Sequence, residues 1–232
     1  MSVLSLENVK TGYGKKQVLF DISFNIEEGQ CVLFVGSNGS GKSTLFKAIY
    51  RDLDLWGKNG RLFYNEEDLT KFKAHHLIEK GIMYIPQKDE LFEDLTVREN
   101  LELSVLHLKN RNLTRSKIEN ILIAIPTLKL KLEQRVNSLS GGERKILSLA
   151  MVLLNKPKLL LYDEPLAGLS DENVKILLKY LDELKEMGIT LLLIEHRIKE
   201  LFPLADRIIG LQLGHKNKHN LGTLKDIKEI ML

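Results

Sequence analysis

The sequence predicts an α/β fold: a mainly parallel sheet covered by helices on both faces, preceded by antiparallel strands and interrupted by a helical sub-domain. Three observations predict it. A glycine-rich loop at residues 36–43 joins an apolar run, 31–35, to a helical pattern at 44–50. Unbroken apolar runs of strand length recur at 82–85, 159–162 and 189–194, separated by helix-period segments. Such alternation marks a parallel sheet buried on both faces. Between 88 and about 155 the strand signals give way to helical periodicity alone. The 232 residues therefore read as a single domain, 1–232, with a core built from 1–87 and 156–232 and a helical sub-domain at 88–155.

Taken in order, residues 3–10 alternate as a strand and Gly12-Tyr13-Gly14 turns the chain. Residues 17–26 alternate again, with Val18, Phe20, Ile22, Phe24 and Ile26 on one face. After the loop helix, residues 57–60 form a turn and 61–64 a short strand. A helical pattern at 70–80 ends at Gly81, and strand 82–85 closes at Pro86-Gln87. Helices are expected at about 96–106, 115–125 and 143–154, with Pro126 breaking the second. Helix 171–187 would bury Val174, Leu177, Leu178, Leu181 and Leu184. A short helix at 197–202, a strand at 207–213, a solvated hairpin at 214–220 and a helix at 224–232 complete the chain.

Composition narrows the classes of function. A balance of 44% hydrophobic and 28% charged residues is that of a folded globule rather than a disordered chain. A net charge of +3 is too small to argue for a nucleic-acid partner. The single cysteine, Cys31, excludes an internal disulfide and a cysteine-built zinc site, and its apolar surroundings make it core. No stretch reaches the roughly 18 consecutive apolar residues that span a bilayer. The first residues lack the basic and apolar regions of a secretion signal. A cytosolic protein is expected, one that would serve a membrane only through a partner.

The chemistry starts at Gly36-Ser37-Asn38-Gly39-Ser40-Gly41-Lys42-Ser43, followed by Thr44. Glycines let a backbone curl around an anion with its N–H groups turned inward, and the helix that follows adds its positive end. Lys42 would reach the β- and γ-phosphates of a nucleoside triphosphate, and Ser43 would ligate Mg²⁺. Downstream, an apolar strand ends in Asp163-Glu164. Asp163 at that place serves Mg²⁺, and Glu164 can polarise a water for in-line attack. Ser140-Gly141-Gly142 precede a helix expected from Glu143 and form a second anion-binding helix start. Asn155-Lys156-Pro157-Lys158 begins like a guanine-reading motif, but a lysine cannot accept guanine's hydrogen bonds, so adenine is expected.

The ordered set of Tyr13, phosphate loop, Gln87, Leu139-Ser140-Gly141-Gly142-Glu143-Arg144, Asp163-Glu164 and His196 resembles the ATP-binding-cassette (ABC) family of ATPases from about Leu4 to Leu213. The resemblance implies that Tyr13 stacks on adenine and that 36–44 hold the phosphates and Mg²⁺. It implies that Gln87 contacts Mg²⁺ or the attacking water and that His196 bonds the γ-phosphate. Ser140, Gly141 and Gly142 would grip the γ-phosphate of ATP held by an opposite subunit, in a homodimer or a heterodimer with a second ABC ATPase. The catalytic set would then be Glu164, His196, Gln87 and Lys42, with Ser43, Gln87 and Asp163 at the metal. Two positions depart from the family pattern: Glu143 stands where many members have Gln, and Ser170 where an Asp is often found.

In transporters of this family a helix of the integral membrane permease docks near the Gln-bearing loop, here 87–103. The segment Leu95-Thr96-Val97-Arg98-Glu99-Asn100-Leu101 looks like the family's helix start there. The resemblance thus implies the ATP-hydrolysing subunit of a membrane transporter, peripheral on the cytoplasmic face. The alternative is a soluble mechanical ATPase acting on DNA or ribosomes, but the chain has neither a long coiled coil within the cassette nor a second cassette. Pro126-Thr127-Leu128, Leu166-Ala167-Gly168-Leu169 and Ile194-Glu195-His196 look most like the group importing branched-chain amino acids, with the lipopolysaccharide-export ATPase also similar.

Overall fold

Two long strands, β1 (Ser2–Tyr13) and β2 (Lys16–Glu27), open the chain as an antiparallel hairpin around Gly14. The computed structural model describes residues 2–88, 91–106 and 111–217, so the helix expected at 224–232 lies outside it. The hairpin does not keep one register. Asn8 and Asp21 both have positive φ, and each marks one extra residue, on β1 and on β2 in turn. A bulge switches which face a side chain meets. Ile22, Phe24 and Ile26 are buried as expected, but beyond the bulge Leu19 takes the inward position and Val18 and Phe20 are only half-buried. Gly12 and Tyr13 stay within the strand rather than forming the turn.

β3 (Cys31–Val35) leads to α1 (Lys42–Ile49), followed by β4 (Arg61–Tyr64) and β5 (Glu67–Asp68). These last two join the hairpin in a four-stranded antiparallel sheet ordered β2-β1-β4-β5. The helix expected from residue 70 starts late, as α2 (Ala74–Glu79). Thr70 is occupied otherwise: its N–H donates to Asp68 and its hydroxyl accepts from Leu62 N–H. Such local bonds outcompete a helical turn.

The second sheet contains β6 (Ile82–Ile85), β7 (Leu159–Asp163), β8 (Thr190–Ile194), β9 (Arg207–Gln212) and β10 (His215–Lys216), ordered β10-β9-β3-β8-β7-β6. All neighbours are parallel except β10 with β9. Alternate residues of its apolar runs serve two cores. Phe34, Leu161 and Ile194 face α1 and the antiparallel sheet, where Phe46 and Leu62 also lie. Leu33, Tyr162 and Leu193 face α7 (Asp171–Glu186), meeting its Leu177 and Leu181. Cys31 is core, and burial pushes its thiol up to about 12.

A third apolar cluster joins α3 (Val97–Leu103), α4 (Arg111–Ala124), α5 (Pro126–Lys129) and α6 (Gly141–Leu153). Thr96 and Glu99 form a capping box at α3, as do Ser140 and Glu143 at α6. Glu143 is therefore the third residue of α6 and not its first. Pro126 opens α5 at the position where a missing N–H costs nothing. α6 belongs to two clusters, with Leu149 in the core beneath the parallel sheet and Ile146 and Leu147 in the helical one. α8 (Ile198–Leu201) follows β8. Of the hairpin expected to be solvated at 214–220, residues 218–220 lie outside the described residues; His215 is exposed as expected, while Gly214 is buried against β2, where Phe20 N–H donates to Gly214 O and the Phe20 ring stacks on His215. No helix among the described residues is long and apolar enough to cross a membrane.

Candidate active site

The carboxyl ends of β3, β7 and β8 lie side by side in register, and each leads into a chemically charged loop. This edge of an open α/β sheet is where ligands bind. β3 runs into the loop 36–41 because only glycine fits its bends. Gly36 and Gly41 have φ of 155° and 103°, and an added Cβ would come within 2.2 Å of Leu211 O and 2.7 Å of a Leu19 methyl. Lys42 folds back over the loop, donating from Nζ to Gly36 O at 2.8 Å and Ser37 O at 3.1 Å. Burial pulls its ammonium below the usual lysine range, while Glu164 and Asp163 work in the opposite direction.

Asp163, at the end of β7, is 1% exposed. Burial pushes its carboxyl up, the Ser43 hydroxyl that hydrogen-bonds it pulls it down, and Glu164 raises it again. Its Oδ1 has no hydrogen-bond partner among the described residues. A buried orphan carboxylate oxygen beside a serine hydroxyl is a hard-oxygen donor set of the kind Mg²⁺ takes. Asp163 and Ser43 would hold the ion, which supplies charge to neutralise phosphate oxygens.

Glu164 follows with φ of 50°, its N–H donating to Ile194 O. Left-handed backbone is uncommon for a non-glycine residue. Here it accompanies a carboxylate suspended between two side chains. Gln87 Nε2 donates to Oε2 at 2.6 Å, and His196 Nε2 lies 3.3 Å from Oε1. Gln87 and His196 come from loops after β6 and β8, so three strand ends converge on one carboxylate. A cleft of about 660 Å³ opens beside them, lined by Ser43, Lys47, Tyr84, Gln87 and Asp163 among others.

The remaining sequence-derived candidates lie further out. Tyr13 is 46% exposed, with Lys47 Nζ 5.9 Å from its ring centroid. Ser140 and Gly141 are exposed at the start of α6, where the Ser140 hydroxyl accepts from Glu143 N–H, while Gly142 is buried against Asn173 of α7. Ser170 caps α7 by accepting from Asn173 N–H, and the neighbouring Asp171 pairs with Arg197 at 2.9 Å.

Two buried charges escaped the sequence reading. Glu195 is 2% exposed, accepting from Leu166 N–H through one oxygen and from His196 and Arg197 N–H through the other. It staples the loop after Glu164 to the loop that carries His196. Bonds of this charge-assisted kind contribute about 1.5–3 kcal/mol each. Lys145, 5% exposed, donates to Gln87 O. Neither position carries a sequence signal for burial: Lys145 continues the charged run Glu143-Arg144, and Glu195 ends an apolar run before His196-Arg197, both places where patterning expects solvent.

Hydrolysing a nucleoside triphosphate takes donors to cradle phosphates, oxygens to hold a divalent cation and a carboxylate placed to accept a proton from water. All of these gather at one sheet edge, which puts the protein among the phosphate-loop nucleoside triphosphatases. The sequence matches the ABC transporter family over residues 19–167, and the chain belongs to that family. It is an ABC transporter ATPase.

Its relatives include the high-affinity branched-chain amino acid transport ATP-binding protein BraG of Pseudomonas aeruginosa, 33% identical over 95% of this chain and 93% of the relative. The probable branched-chain amino acid transport ATP-binding protein LivF of Archaeoglobus fulgidus is 34% identical over 91% and 89%. Among solved structures, a nucleotide-free ATP-binding cassette from an ABC transporter superposes with a TM-score of 0.86, at 27% identity over 99% of this chain and 95% of that one.

Proposed function

We propose that this chain powers the import of branched-chain amino acids, as the ATP-hydrolysing subunit of a membrane transporter. It would work as a dimer of cassettes, bound to integral membrane permease subunits on the cytoplasmic face, with Mg²⁺ as cofactor. The observation that carries the hydrolytic part is the Glu164 carboxylate, held between Gln87 and His196 next to Asp163 and the phosphate loop. Glu164 would take the proton of the attacking water, Lys42 and the loop N–H groups would hold the phosphates, and His196 would bond the γ-phosphate. Tyr13, exposed beside α1, would stack on adenine.

The composite dimer has its support in the exposure of Ser140 and Gly141 at a helix start, where the first backbone N–H groups have no partner within the helix. An ATP bound from both sides would join two chains, and hydrolysis would remove that bridge. Only a ligand with different contacts in the two states can drive such a change. The amino-acid substrate has its support in the near full-length similarity to BraG and LivF.

A second reading, lipopolysaccharide export, draws on the export system ATP-binding protein LptB of Haemophilus influenzae, which is 32% identical over 90% of this chain. Deleting the gene in its own host and measuring uptake of labelled leucine, isoleucine and valine separates the two. Loss of uptake, restored by the wild-type chain and not by Glu164→Gln, is expected. Undiminished uptake with a defective cell surface would favour export and contradict the import reading.

A further inference from the structure

α6 faces in two directions. Its cap, Ser140, and its first residue, Gly141, are exposed. Five residues after Ser140, Lys145 points into the protein, 5% exposed, and its Nζ donates a 2.9 Å hydrogen bond to the backbone carbonyl of Gln87. The same ammonium lies 5.8 Å from the ring centroid of Tyr162, whose hydroxyl is 3.5 Å from Lys145 O. Tyr162 precedes Asp163 in β7. Gln87 then reaches the Glu164 carboxylate with its own amide at 2.6 Å. An unbroken line of bonds therefore runs from the helix that starts at Ser140, through Lys145 and Gln87, to Glu164.

Burying an ammonium and freezing a long side chain are both costly. Apolar packing alone would not require it, because a methionine would fill the same space against Tyr162. What lysine adds is a charge-assisted donor long enough to span from the helix axis to the loop after β6. Gln87 is exposed and sits in a loop, so its amide stays on Glu164 only while its backbone is held. A carboxylate that must accept a proton from one water loses efficiency when displaced by an ångström.

We infer that Lys145 is a positioning residue which ties the orientation of the α6 helix to the placement of Gln87, and through it to Glu164 of the same chain. Combined with the composite dimer proposed above, on which this consequence rests, it gives the two ATP sites a means of communication. The helix start that grips one nucleotide would set the base that serves the other.

The test compares Lys145→Met, which keeps length and packing, with Lys145→Arg, which keeps the cation and its donors. In Lys145→Met the kcat for ATP hydrolysis is expected to fall about tenfold or more, the loss associated with a charge-assisted bond, with KM unchanged. Lys145→Arg restores most of that loss. Hydrogen exchange of residues 84–88, measured on the nucleotide-free protein, speeds up in Lys145→Met and stays at the wild-type rate in Lys145→Arg. A Lys145→Met protein with wild-type kcat and unaltered exchange at 84–88 would overturn the assignment. So would equal losses in both variants carried by KM, which mark Lys145 as packing only. The exchange measurement needs no dimer. A wild-type chain that stays monomeric in ATP therefore removes the communication between sites, while the exchange still decides the link within one chain.

Discussion

Glu164→Gln should cut ATP turnover by about 10²–10⁴-fold, the range supplied by a well-placed general base, and should leave ATP binding intact. The glutamine has the same shape and can still meet Gln87 and His196, which hold the carboxylate at 2.6 Å and 3.3 Å. It cannot take up a proton from water. It also removes a negative charge from beside the triphosphate, so affinity should hold or rise. Single-turnover hydrolysis with radiolabelled ATP, together with equilibrium binding of a fluorescent ATP analogue, separates the two effects. Undiminished hydrolysis would remove Glu164 as the base and leave the water to be activated by another group.

Lys42→Ala should act at the other step. Lys42 is 6% exposed, and its ammonium bonds two carbonyls of its own loop, Gly36 O and Ser37 O. Removing it deletes the cation meant for the β- and γ-phosphates and frees the loop that cradles them. Truncating one member of a buried charged pair costs about 2–5 kcal/mol, or about 30-fold to several thousand-fold in affinity at 1.4 kcal/mol per factor of ten. Titration calorimetry with ATP should register that loss. The fold should survive, because the surrounding core is built from Phe34, Phe46 and Leu45, which the substitution does not touch. An affinity equal to that of the wild type would contradict the assignment of residues 36–43 as the phosphate cradle.

Much of this was legible in the sequence wherever one physical signal dominated. Apolar runs such as Leu159–Tyr162 could only be strands buried on both faces, and alternate residues do serve opposite cores. The phosphate loop was legible because its glycines answer to backbone geometry that no other residue tolerates. What stayed hidden depended on partners distant in the chain. The bulges at Asn8 and Asp21 follow from pairing between strands, so Leu19 could not be told from Val18 as the core residue. Thr70 reads as helical until its bonds to Asp68 and Leu62 are seen. Glu195 and Lys145 are charges that would be expected in solvent. Each is buried because it bonds backbone groups of a loop from another strand end. Gly214 belonged to a stretch read as solvated, yet its N–H donates to Ser40 O and so braces the phosphate loop. The capping role of Glu143 is legible in the sequence and its place as the third helical residue is not, because the capping box puts its cap, Ser140, three residues ahead of the acid and the first helical residue, Gly141, two ahead.

The proposed mechanism requires the exposed helix start at Ser140 to complete a nucleotide site on a second copy of the chain. Sedimentation velocity of the Glu164→Gln protein with ATP and Mg²⁺, with and without an added Ser140→Arg substitution, tests this most directly. The slow variant should sediment as a dimer in ATP and as a monomer without it. With Ser140→Arg added, it should stay monomeric while still binding ATP. A dimer that persists undiminished with arginine at position 140 would contradict the composite site.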